Sequence, residues 1–98
     1  MSELFIEPRH LKMLTDILDE HCPHAEVWAY GSRVNGRAHK GSDLDLVIKS
    51  FNGDDITLYE LKEILTESNI PFLIDIHEFD IMPDYMQKEI LKNYVVIK

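Results

Sequence analysis

Two aspartates occupy alternate positions in an otherwise apolar segment, DLDLVIK at residues 43–49. Because side chains alternate between the two faces of a strand, Asp43 and Asp45 would share one face, about 7 Å apart, opposite the leucines. Like charges this close require compensation. If that face is solvated, the segment is an ordinary half-exposed strand. If the face lines a cleft, the expected compensation is a divalent cation such as Mg²⁺, which takes oxygen ligands.

Gly31 and Ser32 follow the apolar segment AEVWAY, residues 25–30, which is typical of a short strand. At a strand-to-helix turn, free backbone amides form an anion site, and glycine lets the backbone approach a phosphate closely. The alternative is a plain turn with a serine N-cap. The sequence therefore indicates a phosphate-binding turn upstream of the aspartate pair.

Acidic residues outnumber basic ones by eighteen to ten, for a net charge of −8. This balance argues against a free nucleic acid as substrate, because its phosphates would meet a repelling field. The charge is unevenly distributed, since no acidic residue lies between Glu26 and Asp43, whereas Arg33, Arg37 and Lys40 do. This basic stretch favours local binding of a phosphate.

The pattern of Gly31-Ser32, ten intervening residues and Asp43-Leu44-Asp45 resembles the signature of the polymerase-beta-like nucleotidyltransferase superfamily. The longer string GSRVNGRAHKGSDLDLVI is similar to its minimal, stand-alone branch, and the resemblance covers roughly residues 10–80. It implies transfer of a nucleoside monophosphate from a triphosphate such as ATP. Asp43 and Asp45 would hold two Mg²⁺ ions, and Gly31 and Ser32 would grip the terminal phosphates.

A third carboxylate is expected on a later strand, and Asp75 in FLIDIH matches it best. Asp75 is also the lone acid inside that apolar segment, so it would complete the catalytic and metal-binding set. Glu78 is the rival, but it lies past the apolar run and would face the opposite side. His77 shares the strand face of Asp75 and is a further candidate for the site.

Arg33 and Ser42 complete the candidate nucleotide-binding residues. Arg33 follows the phosphate turn directly and either reaches the triphosphate or is solvated or salt-bridged. Ser42 either contacts the ligand or caps the turn into the strand. Arg37 and Lys40 are interpreted as surface charges.

Hydrophobic periodicity and turn signals predict an α/β (α+β) fold: one small domain over residues 1–98, with a mixed sheet of about four strands flanked by about four helices. The predicted helices cover residue 8 to near residue 23, residues 33–38, the segment from the capping-box pair Thr57 and Glu60 to near residue 69, and residues 83–91. The predicted strands are residues 25–30, 43–49 and 72–77, with residues 94–97 left open as a strand or a tail.

Cys22 is the lone cysteine of the sequence, so an intrachain disulfide is impossible. No secretory signal and no apolar stretch of the roughly 20 residues needed to cross a bilayer is recognisable. These observations favour a cytoplasmic protein that does not associate with a membrane.

The resemblance also implies a partner. Stand-alone domains of this branch typically accompany a small helical HEPN protein, often as antitoxin, and transfer AMP to a hydroxyl, typically of tyrosine, on that toxin. The 98 residues leave no room for an acceptor-binding domain, which favours an acceptor platform supplied by another protein. Two alternatives remain open: a binding module that neutralises its partner without catalysis, and a transferase with a small-molecule acceptor.

Overall fold

The computed structural model describes residues 3–39 and 41–98. The interpretation of Lys40 as a surface charge falls outside these residues. Within them, the fold is the expected α+β class, a four-stranded mixed sheet with three α-helices. The elements in chain order are α1 (Pro8–His21), β1 (Glu26–Tyr30), β2 (Leu44–Ser50), α2 (Leu58–Thr66), β3 (Ile74–Glu78), a 3₁₀ helix (Phe79–Ile81), α3 (Asp84–Lys92) and β4 (Val95–Val96).

The strands lie in the order β3-β2-β1-β4. β1 pairs antiparallel with both β2 and β4, whereas β2 and β3 are parallel. Parallel neighbours require a crossover, and α2 supplies it. As a result β2, which carries Asp45, has a hydrogen-bonded strand on each side.

The two faces of the sheet carry two separate cores, as the alternation along β2 predicts. Leu46 faces a large apolar cluster that α1 and α2 complete with Leu14, Leu18, Leu61 and Leu65. On the opposite face, Val47 belongs to a smaller cluster, and Asp45 lies two residues before it on the same face. The buried members of the smaller cluster are Trp28, Val47, Phe79 and Ile90, which the 3₁₀ helix and α3 help to form.

The local signals at α1 and α2 act as the sequence predicts. Pro8 is the first residue of α1, where its missing N–H and fixed φ are tolerated. At α2 the Thr57 hydroxyl accepts a hydrogen bond from the Glu60 backbone N–H at 3.1 Å and donates to the Glu60 carboxylate at 3.1 Å. Among the described residues, no helix is long and apolar enough to span a membrane.

The brief helix predicted for residues 33–38 is wrong, and the described chain has three α-helices rather than about four. The segment forms a turn, in which the Gly31 carbonyl accepts from the backbone N–H groups of Val34 and Asn35 at 3.0 and 3.1 Å. Gly36 then takes a left-handed φ of +83°, which ends the turn. The 3₁₀ helix at Phe79–Ile81 had no counterpart in the prediction.

Candidate active site

Asp45 and Asp75 lie opposite each other in the parallel pair of β2 and β3. Neighbouring strands are about 4.8 Å apart, and residues in register present their side chains on the same face. Asp45 is half-buried and Asp75 is exposed. The structure therefore brings together the second aspartate of the motif and the predicted third carboxylate, although 30 residues separate them in sequence.

Asp43 is exposed and lies one residue before β2 begins, so the predicted strand starts slightly later than expected. Its charge still acts on Asp45. Burial raises the pKa of Asp45 above its usual value, and the charges of Asp75 and Asp43 raise it further, whereas His77 lowers it. The charges of Asp75 and Asp43 thus both act on Asp45, and its ionised form is disfavoured in the absence of a cation.

Gly31 lies in direct contact with Asp45. Its φ is +80°, and a Cβ atom placed on it would collide with Asp45 Oδ2 and lie 3.2 Å from Asp45 Cγ. Glycine is therefore required here for two reasons, the left-handed backbone and the close approach of the carboxylate. Ser32 follows, half-buried. Gly31 of the predicted phosphate turn thus contacts Asp45 of the predicted metal-ligand set.

Tyr30 is the last residue of β1 and is paired with Asp45. Burial, followed by the charges of Asp45 and Asp75, raises its pKa to about 12. The raised pKa extends the pH range over which this phenol is protonated and can donate a hydrogen bond. The neighbouring Trp28 packs in the smaller core, where it stacks on Tyr94 with ring centroids 4.2 Å apart, whereas Tyr30 borders the site.

His77 lies beside Asp75 on β3, as the alternation of the strand predicts. The Nε2 atom of His77 is 3.0 Å from Asp75 Oδ1. Glu78, the rival candidate, is the last residue of β3 and also borders the cleft described below. Asp75, and not Glu78, is the residue in register with Asp45.

Arg33 is buried, with 3% of its surface exposed, so it is not a solvated side chain. Burial lowers the pKa of its guanidinium, and the charge of Asp43 acts in the opposite direction. Its Nε and Nη2 atoms donate to the Ser42 carbonyl at 3.0 and 2.7 Å, and its Nη1 atom donates to the Phe5 carbonyl at 2.7 Å. The guanidinium also lies 4.1 Å from the ring centroid of Phe72. Arg33 thereby ties the phosphate turn to the residue that precedes Asp43.

Ser42 uses its side chain locally, because its hydroxyl accepts from the His39 backbone N–H at 3.0 Å. This contact is the turn cap that the sequence allowed as an alternative to ligand contact. Arg37 is exposed, as expected for a surface charge.

Two neighbouring cavities meet at this site. The large cleft, about 610 Å³, is bordered among others by Tyr30, Asp45, Lys62, Asp75, His77 and Tyr85. The Gly31 cavity, about 270 Å³, is bordered among others by Tyr30, Gly31, Asn35, Met86, Glu89 and Lys92. Tyr30 and Met86 border both cavities, which therefore adjoin to form a groove along α3. Sequence reasoning missed the contribution of α3, since no local pattern relates it to Gly31.

The donor set fits Mg²⁺ in its chemistry, since carboxylate oxygens are hard ligands. Within residues 3–39 and 41–98, however, no three His, Cys, Asp or Glu side chains converge tightly enough to hold a metal ion by themselves. Mg²⁺ commonly uses one or two carboxylates together with substrate phosphates. The carboxylates beside Gly31 match that type of shared site better than an all-protein cage.

Comparison with known proteins agrees with this geometry. Residues 11–97 match the family described as nucleotidyltransferase domain. The chain is 38% identical over 98 residues to the Haemophilus influenzae protein named probable protein adenylyltransferase MntA, spanning 99% of this chain and 86% of that protein. The fold is also similar to the crystal structure of a toxin-antitoxin with AMP-PNP, with a TM-score of 0.70. That similarity covers 90% of this chain and 72% of the other, at 16% identity, and therefore concerns the fold.

Proposed function

The chain belongs to the nucleotidyltransferase domain family, and from this premise we propose that it transfers AMP from ATP to a hydroxyl group of a partner protein. The observation that carries the proposal is the position of Asp45, which contacts Gly31 and is in register with Asp75. The turn at Gly31, Asp45 on β2 and Asp75 on β3 are thus neighbours in this order. Substitution at the phosphorus of a nucleotide needs such an arrangement of a phosphate-binding turn beside carboxylates.

The ligand set for Mg²⁺ in this proposal is Asp43, Asp45 and Asp75, which would hold two ions together with the triphosphate. Mg²⁺ bound there would supply Lewis-acid stabilisation of the phosphates and lower the pKa of the acceptor hydroxyl. The raised pKa of Asp45 supports the assignment, because a cation would relieve the repulsion that disfavours its ionised form.

The triphosphate would lie against the turn at Gly31 and Ser32, where the absence of a Cβ permits close approach. The acceptor oxygen attacks the α-phosphorus, the bond from that phosphorus to the β-phosphate bridging oxygen breaks, and pyrophosphate leaves. The hydroxyl proton passes to Asp75 or to water. Tyr30, whose pKa is raised to about 12, can donate a hydrogen bond from its phenol to the bound nucleotide.

Arg33 and Ser42 act in this proposal by positioning rather than by touching phosphate. The buried guanidinium of Arg33 holds the Ser42 carbonyl, and Asp43 follows Ser42 directly. This contact fixes the distance between the phosphate turn and the first aspartate. Pre-organisation of this kind matters because small displacements of a reacting group reduce rates sharply.

The acceptor we propose is a tyrosine hydroxyl on a helical HEPN-type toxin, which the modification would silence, so that the chain acts as an antitoxin. Support comes from the relative named as a protein adenylyltransferase and from the fold shared with the toxin-antitoxin structure. Large apolar side chains at the rim of the cleft add to it, since Ile81 is 74% exposed and Tyr85 is 69% exposed. Such side chains are typical anchors of a protein interface.

The test is intact-mass spectrometry of the candidate toxin after co-expression with this chain in the cytoplasm of a host cell. We expect a mass increase of one AMP unit or a small multiple, absent with Asp43→Asn and Asp45→Asn. A toxin that stays unmodified but is still neutralised by the doubly substituted chain would instead support inhibition by binding alone. If the toxin is neither modified nor neutralised, labelled ATP incubated with a cell extract would test for a small-molecule acceptor.

A further inference from the structure

The Gly31 cavity lies between the phosphate turn and the C-terminal half of α3. Gly31 and Asn35 border it from the turn, and Glu89 and Lys92 border it from the helix. Its volume of about 270 Å³ is less than half that of the large cleft, at about 610 Å³. A space of this size suits a small charged group better than a nucleoside together with its acceptor.

The two cavities also differ in the charged residues that border them. A triphosphate carries several negative charges and would enter a groove that already contains Asp45 and Asp75, in a chain with a net charge of −8. Of the described residues bordering the two cavities, Lys62 and Lys92 carry permanent positive charges, one in each cavity. Lys92 is the one that shares a cavity with Gly31.

We propose that Lys92 contacts the β- and γ-phosphates of the nucleotide, so that the Gly31 cavity holds the pyrophosphate end and the large cleft holds the nucleoside and the acceptor. This inference rests on the proposed function and gives the nucleotide a direction in the groove. It also assigns the C-terminal end of α3 a role in selecting triphosphates over monophosphates.

The present partner of Lys92 does not hinder this role. Its Nζ atom is 2.9 Å from Glu89 Oε1, and the side chains of Lys92 and Glu89 are 70% and 65% exposed. Exposed ion pairs contribute little to stability, so exchanging Glu89 for a phosphate costs little. In the free protein, Glu89 holds the ammonium group at the rim of the cavity.

The test compares the binding of AMP-PNP and of AMP, each with Mg²⁺, by calorimetry. Lys92→Gln should weaken AMP-PNP binding roughly tenfold, as expected for one lost hydrogen bond to a charged group, and leave AMP binding unchanged. Lys92→Arg should retain most of the affinity. Lys88→Gln is the matched control, because it removes the same charge from an exposed position of α3 that does not border the cavity.

Equal weakening of AMP and AMP-PNP, or an effect of Lys92→Gln no larger than that of Lys88→Gln, would overturn the inference and leave the proposed function standing. A wild-type chain that binds no AMP-PNP in the presence of Mg²⁺ would overturn both. Thermal unfolding of each variant verifies that the fold is retained.

Discussion

The carboxylate of Asp45 lies so close to the α-carbon of Gly31 that a methyl group on Gly31 would collide with Oδ2. The turn after β1 and strand β2 are therefore fitted to each other before any ligand arrives.

Gly31→Ala should both destabilise the protein and displace Asp45. Holding a non-glycine residue in the left-handed region costs about 1–2 kcal/mol, and relief of the collision adds to this. Gly53→Ala is the control, because Gly53 has a φ of +91° but nothing within 4 Å of its added Cβ. We expect urea unfolding to give a larger loss for Gly31→Ala, and AMP-PNP binding to be lost in that variant alone. Equal losses of stability with retained binding would contradict the role of the contact.

Asp45→Asn should stabilise the metal-free protein at neutral pH. Because the pKa of Asp45 is raised on folding, the native state binds more protons than the unfolded chain above the unfolded value of about 3.9. The free energy of unfolding therefore falls as pH rises through the interval up to the native pKa. Urea unfolding in EDTA at pH 4 and pH 7 should show the variant gaining stability over wild type only at pH 7. Lower stability of the variant at pH 7 would mean that the carboxylate has a stabilising partner.

Asp75→Asn should abolish transfer, by roughly 100-fold or more, while changing the stability of the metal-free protein little. Its described contact with His77 joins two partly exposed side chains and contributes at most about 1 kcal/mol. Transfer kinetics and thermal unfolding of the same preparation check both parts. A severe loss of stability would identify Asp75 as a structural residue instead.

Arg33→Lys should lower the free energy of unfolding by about 2 kcal/mol or more. A lysine ammonium cannot reproduce the fork that serves the carbonyls of Ser42 and Phe5, and at the buried position of Arg33 a cation that loses hydrogen-bond partners is costly. Arg37→Lys, at an exposed position, is the control and should be neutral. If the two variants are equally stable, the hydrogen bonds donated by Arg33 do not stabilise the turn.

Mg²⁺ and AMP-PNP together should raise the melting temperature more than either alone, because the carboxylates and the phosphates share the cation. At a ligand concentration 100 times Kd, the stabilisation is about 2.7 kcal/mol. Removal of Mg²⁺ by EDTA should reverse it. A shift with AMP-PNP that is insensitive to EDTA would argue against a shared cation site.

Much of the fold was predictable because its signals are local. Alternation along β2 gave the two faces, and the Thr57–Glu60 box gave the start of α2. The helix predicted after Gly31 failed because a second left-handed glycine, Gly36, ends the segment after one turn, and composition alone does not reveal its φ.

The sequence predicted those parts of the site that follow from the strands themselves, because a strand pattern shows which side chains share a face. The register of Asp45 with Asp75 and the role of Arg33 depend on partners distant in sequence. The cavity that Lys92 and Gly31 both border likewise forms from distant segments. For Arg33 the decisive contact is the Phe5 carbonyl, 28 residues away, which no periodicity encodes. Tertiary packing therefore decides whether a charged residue faces ligand or supports the backbone.

The central position of β2 gives the three aspartates unequal mobility. Asp45 lies between two hydrogen-bonded strands, so displacing its backbone requires both ladders to open. Asp75 belongs to a strand at the sheet edge, and Asp43 precedes the sheet altogether. In the proposed site, adjustments to an incoming nucleotide would consequently fall to these two, and much of the conformational entropy lost on binding would come from the flanks of the site. Asp45 would then be the fixed point around which Asp43 and Asp75 are ordered.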